Sequence, residues 1–247
     1  MKQWLDTFWQ LLFPWQHCVL CGKTSLEGPL CASCRKERTT NTWQLCHYCA
    51  TFVERPATLC QHCAEHLLPG ITKAVALAPY EGSLRRYLHQ LKYEGKSYLA
   101  QPLGCALASY VQQTWPDLPF TCIAAVPATA KRQKERGYNQ AMLLAAVLAE
   151  ELKLPLWDNV LCKVKETPSQ TQLTRQQRFE NVRGVYEPGA NIMKTAGTSV
   201  LLVDDIFTTG ATVSACSRVL LRNGCRNVYV STVAGGKSNG LADFALF

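Results

Sequence analysis

The chain has 247 residues, 47% apolar and 18% charged, a balance that permits a buried core and excludes a disordered polymer. No run of eighteen or more apolar residues occurs, which excludes a membrane-spanning helix; the formal net charge is +8, and its densest basic stretch, Lys131 to Arg136, reads equally well as facing phosphate, nucleic acid or an anionic membrane surface and as a solvated loop. Asp6 interrupts the N-terminal apolar stretch and no small-residue cleavage site follows it, so the expected compartment is a reducing cytoplasm, where paired cysteines bind metal more often than they form disulfides.

Residues 1–17, MKQWLDTFWQLLFPWQH, place Trp4, Leu5, Phe8, Leu11, Leu12 and Trp15 near one face of a short helix that Pro14 breaks. An interfacial anchor or partner-docking helix is one reading. The polar face lacks the lysines and arginines of a membrane-surface helix, so packing against the protein itself is the favoured expectation.

Residues 18–70 carry eight of the thirteen cysteines, as the pairs Cys18/Cys21, Cys31/Cys34, Cys46/Cys49 and Cys60/Cys63, separated by nine, eleven and ten residues. A C-x-x-C turn brings two thiolates to one ion and two such turns complete a tetrahedral site, so eight cysteines predict two closed, structural zinc sites. An iron–sulfur cluster would also take four cysteines, whereas a thioredoxin-like pair needs a βαβ setting that this segment lacks. Sequential pairing, the first four on one ion and the last four on another, keeps each loop hairpin-sized; crossed pairing stays open. His17, His47 and His62 read as neighbours of ligands. With few large aliphatic side chains, this segment would draw its folding energy from metal.

Residues 71–247 read as one α/β domain. Cys122–Val126 is a buried strand, followed by Pro127, a basic loop with Lys131, Arg132, Lys134 and Arg136, and a helix from about Tyr138 to Leu152 with Met142, Leu144, Ala145 and Leu148 inward. Polar residues Lys163 to Arg183 lie between strand-like Val160–Cys162 and Gly184–Tyr186, as expected of a flap over a ligand. Val200–Val203 is a continuous apolar run of the kind found in parallel sheets covered on both faces. A helix from Ala211 to Asn223, stopped by Gly224, and a β-rich run from Asn227 to Val233 complete a strand–loop–helix–strand unit. Its loop, at the strand's C-terminal edge, is where ligands bind in open α/β sheets. Thr208-Thr209-Gly210-Ala211-Thr212 offers hydroxyls, a bending glycine and helix-start amides to a phosphate, while Asp204 and Asp205 are suited to accept hydrogen bonds from vicinal ribose hydroxyls. Together they predict a ribose 5-phosphate. No lysine follows the glycine, which rules out a Walker-type loop.

An apolar strand, two acids and then TTGAT resembles the motif by which type I phosphoribosyltransferases bind 5-phosphoribosyl-1-pyrophosphate (PRPP). RGYNQ at 136–140, TPSQTQL at 167–173, QRFENVRGVY at 177–186 and LKYEG at 91–95 further resemble the ComF family, which includes GntX-like proteins. The resemblance covers roughly residues 8 to 234 and is far more specific than any one motif. It implies an α/β fold with a mostly parallel sheet of the type I phosphoribosyltransferase kind, behind a small double zinc ribbon. It also implies that Asp204 and Asp205 hold the ribose hydroxyls and that Thr208 to Thr212 wrap the 5′-phosphate, with Mg²⁺ accompanying PRPP. Carried over residue by residue, Arg136, Tyr138, Asn139, Gln140, Gln170, Leu173, Arg178 and Asn181 match recurrent family positions. Lys131, Arg132, Arg136, Gln170 and Arg178 become candidates for the pyrophosphate and flap, whereas Tyr138 and Leu173 read as packing and Lys92 equally well as a surface helix lysine.

Three functions follow as expectations from the resemblance. The first is a competence factor acting on single-stranded DNA at the cytoplasmic side of the membrane with DNA-uptake proteins. The second is an active phosphoribosyltransferase, and the third a PRPP-binding regulator without turnover. The tail after Ala234, GGKSNGLADFALF, matches no part of the family pattern, and no base-reading region is recognisable.

Overall fold

The structure, a computed structural model, describes residues 17–25, 28–39, 44–53, 59–65, 68–167 and 173–238. The N-terminal amphipathic segment, Gln170 and the residues after 238 lie outside the described residues.

The frame is a four-stranded, all-parallel sheet of β3 (Lys73–Pro79), β8 (Asn227–Gly235), β7 (Ser199–Phe207) and β4 (Cys122–Ala125), in that spatial order. Its strands are nearly continuous apolar runs: Val200 to Val203 and Cys122 to Ala124 are shut off from solvent. Such strands need cover on both faces. Part of it comes from α4 (Ala100–Thr114), packed on β3 and β8, and α6 (Gln140–Leu152), packed on β7 and β4. α8 (Ala211–Arg222) packs on β7 and β8 and also on a small antiparallel pair, β5 (Leu161–Lys163) with β6 (Tyr186–Pro188). α3 (Gly82–Tyr93) buries Leu84, Leu88 and Leu91, one helical stripe, and leaves Arg85, His89 and Tyr93 outside.

Two sequence expectations change. The basic stretch is a helix, α5 (Ala130–Arg136), and not a loop: the Thr129 side chain accepts from the Arg132 amide at 3.3 Å, and Gly137 turns left-handed at the C-terminus. The following helix starts at Gln140, because the Asn139 side chain caps it, its Oδ1 accepting from the Ala141 amide at 3.1 Å. The flap also has structure of its own, helix α7 (Arg175–Asn181), opened by a capping box between Thr174 and Gln177.

The cysteine-rich segment contains α1 (Ala32–Thr39), a hairpin of β1 (Gln44–Leu45) and β2 (Phe52–Val53), and α2 (Gln61–Glu65). β2 has a second partner, β9 (Lys237–Ser238), which runs parallel to it. Part of the tail that sequence reading left unplaced thus completes the sheet of the cysteine module.

Candidate functional site

The candidate ligand site is built at the C-terminal edge of β7. That strand extends through Asp204 and Asp205 to Phe207, so the acid pair belongs to the strand and alternate residues point to opposite sides. Thr208 to Gly210 then turn into α8, whose first amides have no intrahelical acceptor. Asp204, Phe207 and Thr208 to Val213 line a small hollow there. The turn depends on glycine: Gly210 has φ +77°, and a Cβ on it would lie 2.5 Å from Leu68 Cδ1 and 2.8 Å from Phe207 Cζ.

The two acids occupy different electrostatic settings. Asp205, 8% exposed, receives the Lys92 ammonium from α3 at 3.0 Å. Burial is the largest single influence and would raise its carboxyl, but Lys92, helped by a hydrogen bond with Asp204 and by Arg136, holds it below the usual carboxylate range. Lys92 is raised in turn, chiefly by Asp205. Asp204 goes the other way, pushed well above the carboxylate range by burial and by the charge on Asp205. The reading of Lys92 as an ordinary surface lysine gives way here: it is three-quarters covered and tied to the acid pair 113 positions downstream.

The motif residues converge on the same place. Tyr138 donates its hydroxyl to the Leu91 carbonyl at 2.6 Å, and the Arg136 guanidinium lies 5.3 Å from the Tyr93 ring centre. Together with Lys92, three consecutive residues of LKYEG are held by RGYNQ and the acid pair. Arg136 also donates to Gln140 Oε1 at 3.2 Å, while Gln140 Nε2 is buried without a partner. Asn139 donates to the Val126 carbonyl at 3.0 Å, joining α6 to the end of β4. Lys131 and Lys134 are exposed on α5.

The flap reaches the site from its own side. Arg178 on α7 donates to Thr208 Oγ1 at 2.9 Å and to the Leu173 carbonyl at 3.1 Å, so it meets the phosphate loop directly. Arg132 donates to the Thr167 carbonyl at 3.1 Å and pairs with Glu166 at 3.7 Å. Sequence reading did not single out Lys163, which donates to Thr167 Oγ1 at 3.1 Å and lies 5.7 Å from the Tyr186 ring centre. Burial, reinforced by Arg132, lowers the Lys163 ammonium. The available signal was its place as the last residue of a strand beside a polar flap.

The eight cysteines form two sets in sequential pairing, Cys18, Cys21, Cys31 and Cys34, and Cys46, Cys49, Cys60 and Cys63, with the sulfurs of each set within 4.8 Å of one another. Sulfur separations of 3.6 Å (Cys21–Cys31) and 3.7 Å (Cys49–Cys60) match the edge of about 3.8 Å for a tetrahedron with zinc–sulfur bonds of about 2.3 Å. The Cys60 amide donates to Cys46 Sγ at 3.2 Å, as metal-bound thiolates require. Either set is able to hold zinc.

Fold and site together define a protein of the type I phosphoribosyltransferase fold, with two tetra-cysteine groups ahead of the sheet. The family model described as phosphoribosyl transferase domain matches residues 139–243. The chain is 31% identical over 219 residues to DNA utilization protein YhgH of Salmonella typhimurium, covering 81% of this chain and 94% of that protein. It is 28% identical over 220 residues to competence protein F of Haemophilus influenzae, covering 87% and 94%. The chain belongs to the ComF family. Among solved structures, an adenine phosphoribosyltransferase superposes with a TM-score of 0.37 at 18% identity, over 56% of this chain and 79% of that one. No helix among the described residues is long and apolar enough to cross a membrane.

Proposed function

We propose that the chain binds PRPP with Mg²⁺ at the edge of β7 and acts with single-stranded DNA in DNA uptake. The observation that carries the ligand reading is the juxtaposition of Asp204 and Asp205, one of them charge-balanced by Lys92, with the glycine-turned loop Thr208 to Thr212. The loop amides and threonine hydroxyls would take the 5′-phosphate, and the acids would accept from the ribose hydroxyls. Arg178 already touches Thr208 and would close the flap on that phosphate; Arg132 and Lys163 would face the diphosphate end, with Arg136 and Lys131 behind them. Bound Mg²⁺ would neutralise charge on the diphosphate.

The DNA reading rests on the names of the relatives, one a DNA utilization protein and one a competence protein, and on the exposed basic face of α5. Zinc in both cysteine sets would be structural. A second reading, phosphoribosyl transfer, is favoured by the reach of Arg178 on α7 to Thr208: a flap that closed there would shut water out, which serves chemistry more than storage.

The test is calorimetry of PRPP with Mg²⁺ on zinc-loaded protein, followed by addition of single-stranded DNA. Binding by the wild type and its loss in Asp204→Ala/Asp205→Ala is the expected result. A folded wild type that ignores PRPP overturns the ligand reading, and DNA binding that neither responds to PRPP nor falls with salt overturns the DNA reading.

A further inference from the structure

Tyr48 sits inside a metal knuckle, between Cys46 and Cys49, yet its contacts lead elsewhere. Its hydroxyl lies 2.7 Å from the Leu68 carbonyl and 2.6 Å from the Ile71 carbonyl, one proton shared between two acceptors. Its own carbonyl accepts from the Ala74 amide at 3.0 Å, at the start of β3. Residues 68–71 are therefore bent around this one side chain.

The other side of the same segment presses on the anion loop. Ser214, fully buried in the first turn of α8, donates to the Pro69 carbonyl at 2.7 Å. Leu68, 3% exposed, fills the space beside Gly210 that a Cβ would need. A continuous line of contacts thus runs from the Cys46–Cys49 turn through Tyr48 and residues 68–71 to both ends of the first turn of α8.

Among the described residues the first cysteine set has no such line: the backbone hydrogen bonds given for residues 17–35 stay within that segment, among them Cys18 to Lys23 and Val19 to Pro29. Its contacts go to other surfaces: Gly22 abuts Ser83 on α3, and Pro29, Leu30 and Arg35 line a cavity with Cys105 and Glu151 on α4 and α6.

We infer that Tyr48 is a positioning residue for the anion loop, and that the second cysteine set, with its four thiolates tied to one ion, holds that loop in its binding geometry while the first set does not. The inference rests on the reading of Thr208 to Thr212 as the 5′-phosphate loop.

The experiment compares full-length, zinc-loaded wild type with Tyr48→Phe and with Cys18→Ser/Cys21→Ser. Zinc content, PRPP affinity with Mg²⁺ by calorimetry, and hydrogen exchange at the amides of residues 208–214 are read in each. Tyr48→Phe removes one hydroxyl and no metal ligand. It should keep the wild-type zinc content, bind PRPP about 3- to 10-fold more weakly, and exchange faster at 208–214. Cys18→Ser/Cys21→Ser should lose one zinc and bind PRPP as the wild type does. Wild-type affinity and exchange in Tyr48→Phe, or equal losses in the first-set variant, would overturn the inference. A wild type that binds no PRPP sinks the ligand reading alone; the exchange comparison then decides the coupling, faster exchange in Tyr48→Phe supporting it and unchanged exchange refuting it.

Discussion

The two cysteine sets have the same four thiols and the same C-x-x-C spacing, and they are embedded differently. In the second, all four cysteines are buried; in the first, Cys21 is exposed and Cys31 half-buried. The second is sewn into the domain through β2–β9, Tyr48 and Ala74, whereas among the described residues the first keeps its backbone bonds to itself. Ligand spacing fixes what a metal site can hold, and the surroundings fix what depends on it.

The sharpest way to break this comparison is to open each set in turn. Cys60→Ser should lower global stability by on the order of 5 kcal/mol, because the second module loses both its metal and its hold on the sheet. Cys21→Ser, on the rim of the first set, should cost about 1–2 kcal/mol, read as the shift in the main thermal transition. Equal shifts would refute the distinction. A smaller contrast lies in two glycines with nearly equal φ, Gly22 at +75° and Gly210 at +77°. Gly210→Ala drives a methyl into Leu68 and Phe207 and should cost about 2–3 kcal/mol together with PRPP affinity. Gly22→Ala presses closest on the movable Ser83 hydroxyl, with the Arg86 guanidinium in ordinary contact, and should cost about 1 kcal/mol with PRPP binding intact.

Two further variants should be indifferent to either set. Lys92→Ala leaves Asp205 buried without its cation. Since Lys92 is a quarter exposed, the loss should be about 2 kcal/mol, less than for a fully buried pair, and additive with Cys21→Ser within about 0.5 kcal/mol in denaturant unfolding. The smallest effect concerns pH. Asp204 is raised in the folded chain, so the unfolded chain gives up this proton first; stability falls as pH climbs from about 4 to the raised folded value and is level beyond it. Asp204→Asn should abolish that fall and raise Tm by about 2–4 °C at pH 7. A wild-type profile retained in Asp204→Asn would show that another group titrates.

What was legible in the sequence was local. The C-x-x-C pairs, the apolar run of β7 and the glycine that opens α8 each carry their signal within a dozen residues, and the structure has the cysteine sets and elements they announce. The basic stretch misled because a charge-rich heptad with no buried side chain has no apolar stripe; Thr129 and Gly137, its two caps, were the signals to weigh. Lys92 could not be placed, since only the fold brings α3 to Asp205. Tyr48 was hidden for a different reason: flanked by ligands, it reads as part of a metal knuckle, and its work is done at carbonyls some twenty residues away.

The pairing of β2 with β9 fixes an order of assembly. As the polypeptide leaves the ribosome, the first cysteine set has the backbone partners seen among the described residues at hand once Arg35 is out. The hairpin β1–β2 is local, but its third strand must wait for Lys237 and Ser238, and edge strand β3 must wait for β8, so the sheet around the second set is completed late, by long-range contacts that are slow to form. A nascent chain stalled before residue 237 would therefore carry one finished metal knot and one still lacking its third strand.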